Sequence, residues 1–146
     1  MSKISFSYAT EGLTDEDLSP FFVGWSESPG TELRRKILDA ASEVVIARDE
    51  QGALVGFITA ITDGVFAAYI PLLEVRTDRQ HEGVGRALVE RMLARLDRCY
   101  MVDVVCDENV IAFYEALGGQ RLHAVAWRNF ESRRGSAEAG SELTEQ

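Results

Sequence analysis

Two glycines, Gly83 and Gly85, stand one residue apart between an extended apolar run and a helical one. Three arginines, Arg76, Arg79 and Arg86, surround them. A helix N-terminus exposes unpaired N–H groups and the positive end of the helix dipole. Glycines there let an anion approach those groups without meeting a Cβ, and guanidinium groups add charge-assisted bonds to phosphate oxygens. Residue types and spacing in this stretch therefore suit a diphosphate. The plainer alternative is a tight strand-to-helix turn whose glycines merely permit positive φ.

Two familiar phosphate loops do not fit. A dinucleotide-binding loop wants a third glycine three residues on, where this chain has Leu88. A Walker loop ends in Gly-Lys-Ser/Thr, whereas Gly85 is followed by Arg86-Ala87.

The chain around this loop has 146 residues, enough for one domain with a proper core and too few for two ordinary ones. With 46% apolar and 27% charged residues it reads as soluble, and no apolar run approaches a membrane span. The N-terminus has no apolar signal core, so a cytoplasmic location is expected. A net charge of −9 disfavours a nucleic-acid footprint. Cys99 and Cys106 are spaced for neither a redox pair nor a metal knuckle, and His81 and His123 are too few for a histidine-rich metal site.

The elements that must position the loop follow from periodicity. Ile4, Phe6 and Tyr8 alternate as a short strand. Thr14 and Asp17 form a capping-box pattern opening a short helix, and Ser28-Pro29 predicts the cap and first turn of a second. Strands are expected over residues 44–48, 54–62 and 66–75, the last containing Pro71, which cannot donate to a ladder, so that the strand must be bulged or unpaired near it. After the glycines, Val84, Leu88, Val89, Met92, Leu93 and Leu96 fall on one helical stripe. A strand over 101–106 then completes a β-α-β crossover with parallel strands. A helix over 109–117 stops at Gly118-Gly119, and residues 120–130 are expected to add one or two strands. A single domain over 1–130 with a disordered tail over 131–146 is the expected organisation.

Gln80-x-x-Gly83-x-Gly85 between strand and helix, followed downstream by Asn109-Val110-Ile111-Ala112-Phe113-Tyr114-Glu115-Ala116-Leu117-Gly118-Gly119, resembles the GNAT superfamily of N-acetyltransferases. The resemblance runs from about Val44 to Gly119. It implies an α/β GNAT fold: a mixed central sheet with antiparallel N-terminal strands and a splayed parallel pair, flanked by about four helices. It further implies acetyl-CoA as co-substrate, bound by Val75, Thr77, Arg79, Gln80, His81, Glu82, Gly83, Val84, Gly85, Arg86 and Asn109. Asn109 can equally be a helix N-cap.

The implied chemistry is direct attack of an amine on the thioester in a ternary complex. An alkylamine of pKa about 10.4 is neutral in only about one part in 2,500 at pH 7, so a base is useful. Glu74, among Leu72, Leu73 and Val75 at a strand end, is the candidate base, a solvent-facing or substrate-orienting glutamate being the alternative. Tyr114 matches the family tyrosine that protonates or holds the departing thiolate; otherwise it is a core tyrosine. Phe21, Phe22, Trp25 and Tyr69 are candidates for the acceptor wall, and the aromatic cluster can equally anchor short helices to the sheet. The acceptor is expected to be a small-molecule or peptide amine, and the chain a monomer or homodimer. A non-catalytic acyl-CoA-binding regulatory module is the alternative function.

Overall fold

The structure, a computed structural model, describes residues 2–25 and 28–134. Its strands are β1 (Ser5–Ser7), β2 (Glu43–Arg48), β3 (Leu54–Thr62), β4 (Ala67–Val75) and β5 (Met101–Asp103). Its helices are α1 (Asp15–Leu18), α2 (Thr31–Ala40), α3 (Val84–Arg95) and α4 (Ile111–Glu115). The strands form one sheet in the order β1-β2-β3-β4-β5, antiparallel throughout except for the parallel β4–β5 pair. This is the mixed α/β architecture expected above.

Both faces of the sheet are covered, which is why β2 and β3 read as near-continuous apolar runs. On one face Val84, Leu88 and Met92 of α3 pack with Val45, Val55, Ile58 and Ile70. On the other, Leu18, Phe21, Phe22 and Leu38 pack with Ile46 and Phe57. The α3 face also needs Gly56: a Cβ there would lie 3.1 Å from Leu88 Cδ1 and 3.4 Å from Val84 Cγ1. Removing that one side chain seats the N-terminal half of α3 directly on β3.

Thr14 opens α1 through the expected capping box, its hydroxyl accepting from Asp17 N at 3.1 Å while Asp17 Oδ2 accepts from Thr14 N at 3.0 Å. The start of α2 differs from the sequence reading. Gly30, not Ser28, is its N-cap, and the Pro29 carbonyl accepts from Arg34 Nε at 2.8 Å.

Pro71 does mark a bulge, and its register is now defined. Thr59 pairs with Leu72 and Ile61 with Tyr69, so Ile70 and Pro71 together oppose Ala60. The extra residue reverses the alternation of β4. Ala68 and Ile70 face α3 before the bulge, and Leu73 and Val75 face it afterwards. Leu72 and Glu74 are thereby turned to the opposite face, towards Phe22 and Phe57.

Three expectations for the second half need correction. The last strand of the crossover spans only Met101–Asp103, because pairing with β4 stops at Tyr69↔Asp103, immediately before the bulge bends β4 away. The helix expected over 109–117 is a 3-10 turn, Glu108–Val110, followed by α4. Residues 120–129 form no strand: all are exposed, and none joins the sheet. Of the expected tail, Phe130–Arg134 is a 3-10 turn, and residues 135–146 lie outside the described residues.

Candidate active site

The glycine loop builds an uncapped helix start. Gly83 is the N-cap of α3 with φ 86°, a left-handed conformation that glycine adopts without strain, and no side chain caps the helix. The first main-chain bond into α3 runs from Ala87 N to Gly83 O at 3.1 Å. Among the described residues the N–H groups of Val84, Gly85 and Arg86 therefore have no main-chain acceptor. A Cβ on Gly83 would meet nothing within 4 Å, so the space over Gly83 itself is open. His81 also has positive φ, 66°, which turns the preceding loop. Gly85 faces inward instead, 3.6 Å from Val75 Cγ2 and 3.7 Å from Phe113 Cζ when a Cβ is placed on it.

Side chains brace this loop more than they decorate it. Gln80 Nε2 donates to the Val75 carbonyl at 3.1 Å, tying the loop to the end of β4. Arg79, with its side chain only 13% exposed, pairs with Glu82 at 2.8 Å and Asp49 at 3.5 Å. It thus links the glycine loop to the β2–β3 turn. Arg76 is held by Asp78 at 2.6 Å, next to the exposed Thr77. Arg86 pairs with Glu90 at 2.9 Å on the exposed surface of α3.

Beyond the bulge, β4 and the chain after β5 separate around a cleft of about 250 Å³. Its lining comprises Ile70, Pro71 and Leu73 on one side, Val104–Asp107 on the other, and Val110, Phe113 and Tyr114 at the α4 end. Burial, with a smaller contribution from Cys106, pushes the Tyr114 phenol up to about 12. The Cys106 thiol is also pushed up, by burial first and then by Asp107 and Glu108, so it is a poor candidate for a thiolate nucleophile. Asn109 is exposed and does not serve as a helix cap: Asp107 precedes the 3-10 turn and Val110 precedes α4.

Glu74 lies on the other face of β4, beside Phe22, Trp25 and Arg34. Burial raises its pKa, opposed by hydrogen bonds from the Trp25 indole and the Phe22 main chain and by the charge of Arg34. Arg34 also donates to the carbonyls of Leu18 at 2.9 Å and Pro29 at 2.8 Å, and its guanidinium lies 5.0 Å from the Phe22 ring centre. It therefore shapes the wall opposite Glu74. Phe21 and Phe22 are buried and pack against Phe57 with tilted rings, so they anchor the wall, whereas Trp25 is 48% exposed. Tyr69 is partly exposed opposite Ile61. Asp63 lies in the β3–β4 turn, at the other end of β4 from Glu74, where its carboxylate accepts from Val65, Phe66 and Ala67.

Arg34 and Gly56 escape a sequence reading. Arg34 lies in α2 with no motif around it, and only the tertiary fold brings it to Glu74. Gly56 carries one local signal, a glycine inside a strand pattern, which is a mark of close approach.

The fold, the uncapped α3 N-terminus and the splayed cleft coincide with a known family. The model of the acetyltransferase (GNAT) family matches residues 10–119, and this chain belongs to that family. A protein from Deinococcus radiodurans R1, described as a candidate acetyltransferase, is 40% identical with a TM-score of 0.86; the match covers 93% of this chain and 99% of that one. A GNAT-family acetyltransferase from Streptococcus pneumoniae TIGR4 has the same fold at 23% identity and a TM-score of 0.72, covering 88% and 99%. The uncharacterized N-acetyltransferase ycf52 of Pyropia yezoensis is 28% identical over 102 residues, 66% of this chain and 58% of that relative's length. The chain thus spans little more than half of this curated relative. No helix among the described residues is long and apolar enough to cross a membrane.

Proposed function

We propose that the protein is an N-acetyltransferase that moves an acetyl group from acetyl-CoA to an amine, by direct attack while both substrates are bound. The observation that carries this reading is the continuity of two features. Free N–H donors at the start of α3 lie at one end of β4, and a half-apolar cleft opens beside the bulge of the same strand.

The main-chain amides of residues 81–86 hold the diphosphate, favoured by the α3 dipole. Gln80 and Arg79 keep the loop in shape, with Arg79 acting through Asp49 and Glu82. Arg86 is the cation free to turn towards a phosphate, because an exposed i,i+4 pair such as Arg86–Glu90 contributes only about 0.3–0.5 kcal/mol. Thr77, His81 and Glu82 border the ligand on the exposed side of the loop. Val75, Val84 and Gly85 form its floor, and Asn109 faces it from the 3-10 turn.

Acetyl-CoA supplies the activated acyl group and a thiolate leaving group. Glu74 takes a proton from the acceptor ammonium and so frees the neutral amine that attacks, its desolvated carboxylate being more basic than an ordinary glutamate. The bulge frees a strand amide beside the gap. Pro71 has no N–H, so that donor is Ile70 or Leu72, and it polarises the carbonyl under attack. Tyr114, with a pKa near 12, acts as a hydrogen-bond donor to the departing sulfur, since full proton transfer to a thiolate of ordinary pKa about 8.5 runs uphill. Glu74 and Tyr114 approach from opposite faces of the sheet, so acceptor and donor enter from opposite sides. Trp25, Tyr69 and the Phe21–Phe22 wall border the acceptor side. A cytoplasmic site suits the two free thiols.

Release of free thiol from acetyl-CoA, followed across amino acids, polyamines, aminoglycosides and peptides with free N-termini, tests the activity. Turnover with at least one class is expected. Tight coenzyme A binding with no turnover across the panel would instead identify a regulatory acyl-CoA-binding module.

A further inference from the structure

We propose that Arg34 is a positioning residue for the acetyl transfer: it clamps the connection between α1 and α2 so that this connection holds the Glu74 carboxylate ready for the acceptor amine. The inference rests on the reading of Glu74 as proton acceptor and adds the residue that controls it.

The guanidinium joins the two ends of that connection. From one terminal nitrogen Arg34 donates to the carbonyls of Leu18 at 2.9 Å and Ser19 at 3.3 Å, at the end of α1. From Nε it donates to the Pro29 carbonyl at 2.8 Å, just ahead of the α2 N-cap. These acceptors are neutral, so the hydrogen bonds leave the charge of Arg34 intact. Arg34 stands one turn before the buried Leu38 on α2, so the clamp is mounted on a helix that is itself packed on the sheet.

Between those ends the chain takes a course that its residues do not favour. Phe22 has φ 66°, a left-handed conformation that bulky side chains rarely adopt, and Gly24 follows at 84°. A non-glycine residue stays in that region only where its surroundings hold it there. Here the buried Phe22 ring lies 5.0 Å from the Arg34 guanidinium, 5.3 Å from the Trp25 ring and 6.1 Å from Phe57. Both donors to Glu74, the Phe22 main-chain N–H and the Trp25 indole, belong to this held stretch.

Arg34 also acts on Glu74 through its charge. Burial disfavours the ionised carboxylate, whereas the two hydrogen bonds and the Arg34 charge favour it. Phe57, opposite Glu74 on β3, and Leu72 are apolar, so Arg34 is the charged group that faces Glu74 among the described residues. A general base must be ionised to accept a proton and basic enough to hold it, and the two influences together meet both needs.

Trp25 reports on the clamp with no ligand present. In the full chain carrying Trp127→Phe, which leaves one indole, the indole N–H resonance is followed against pH. Glu74→Gln should flatten the curve. Arg34→Met removes charge and fork together, and should move the midpoint to higher pH. Arg34→Lys keeps the charge but cannot bridge both ends of the connection. With the panel amine that turns over fastest, kcat/KM for the amine should fall roughly 10²-fold in Arg34→Met and by less in Arg34→Lys. The KM for acetyl-CoA should stay at the parent value in both. An unchanged midpoint in Arg34→Met, a curve that persists in Glu74→Gln, parent-like amine kinetics in Arg34→Lys or an equal rise in both KM values overturns the inference. Failure of the underlying reading looks different: full kcat in Glu74→Gln, or no turnover with any panel amine, removes Glu74 as the base while the Trp25 midpoint still depends on Arg34.

Discussion

A Cβ on Gly56 would stand 2.9 Å from the carbonyl oxygen of Glu74, a distance that side chains do not tolerate against backbone. The candidate base is thus carried on a strand segment whose neighbour has been stripped to glycine, and the same glycine admits α3. Position 56 thus touches both the strand that carries Glu74 and the helix whose start is the proposed phosphate cradle.

Gly56→Ala should consequently lower stability by about 1–3 kcal/mol, since backbone and α3 must both shift to admit one methyl group. Chemical denaturation measures this. The KM for acetyl-CoA should rise at the same time, because α3 moves with its free amides. Unchanged stability would mean that β3 and β4 are less tightly apposed than described.

Glu74→Gln separates catalysis from folding. Burial raises the Glu74 pKa, so its favourable contribution to stability is complete below the ordinary value near 4.5 and is lost as pH rises through the folded-state pKa. At neutral pH the charged form is a burden, and the amide should leave the Tm unchanged or higher. The kcat should fall by roughly 10²-fold or more. In the parent protein, kcat should drop on acidification at a pH above that of an ordinary glutamate. A variant with full kcat would return Glu74 to a positioning role.

Tyr114→Phe should lower kcat by about 10²-fold with little change in acetyl-CoA affinity. With a phenol pKa of about 12, the parent protein should show no alkaline loss of rate from Tyr114 below about pH 11. A pH–rate profile of parent and variant checks both statements. An alkaline limb near pH 10 present only in the parent would show that the phenol ionises earlier and works as a proton donor.

Gly83→Val can be read against a matched control. Gly83 and Gly64 have φ of 86° and 74°, and an added Cβ meets nothing within 4 Å at either. Valine should strain both positions by about 1–3 kcal/mol. Only Gly83→Val should also abolish coenzyme A binding in calorimetry, because Gly64 lies in the β3–β4 turn, near the C-terminal end of α3 and not at its start. Equal affinities in the two variants would mean that the space over Gly83 is not used.

Local rules made the elements that carry the site legible in the sequence. The α3 stripe, the Thr14–Asp17 box and the glycine pair each announce themselves within a few residues. Pro71 told of a bulge, but its effect on Glu74 needed the register, since a single added residue reverses which face every later side chain takes. The arginines misled in part. Their positive charge near the glycines is visible in one dimension, and so are the neighbouring carboxylates of Asp78 and Glu90, whereas Asp49 meets Arg79 only on folding. The missing final strands have a similar cause. Residues 120–130 have strand composition, and composition says nothing about which edge a strand will join.

The central claim is that amides of residues 81–86 grip the diphosphate while the thioester lies between β4 and the chain after Asp103. A crystal structure with coenzyme A bound tests it most directly. The expected density places both phosphates at the start of α3 and the sulfur within hydrogen-bonding reach of the Tyr114 hydroxyl. Phosphates bound elsewhere, or a pantetheine chain lying outside the gap lined by Ile70, Pro71 and Val104, would contradict the account.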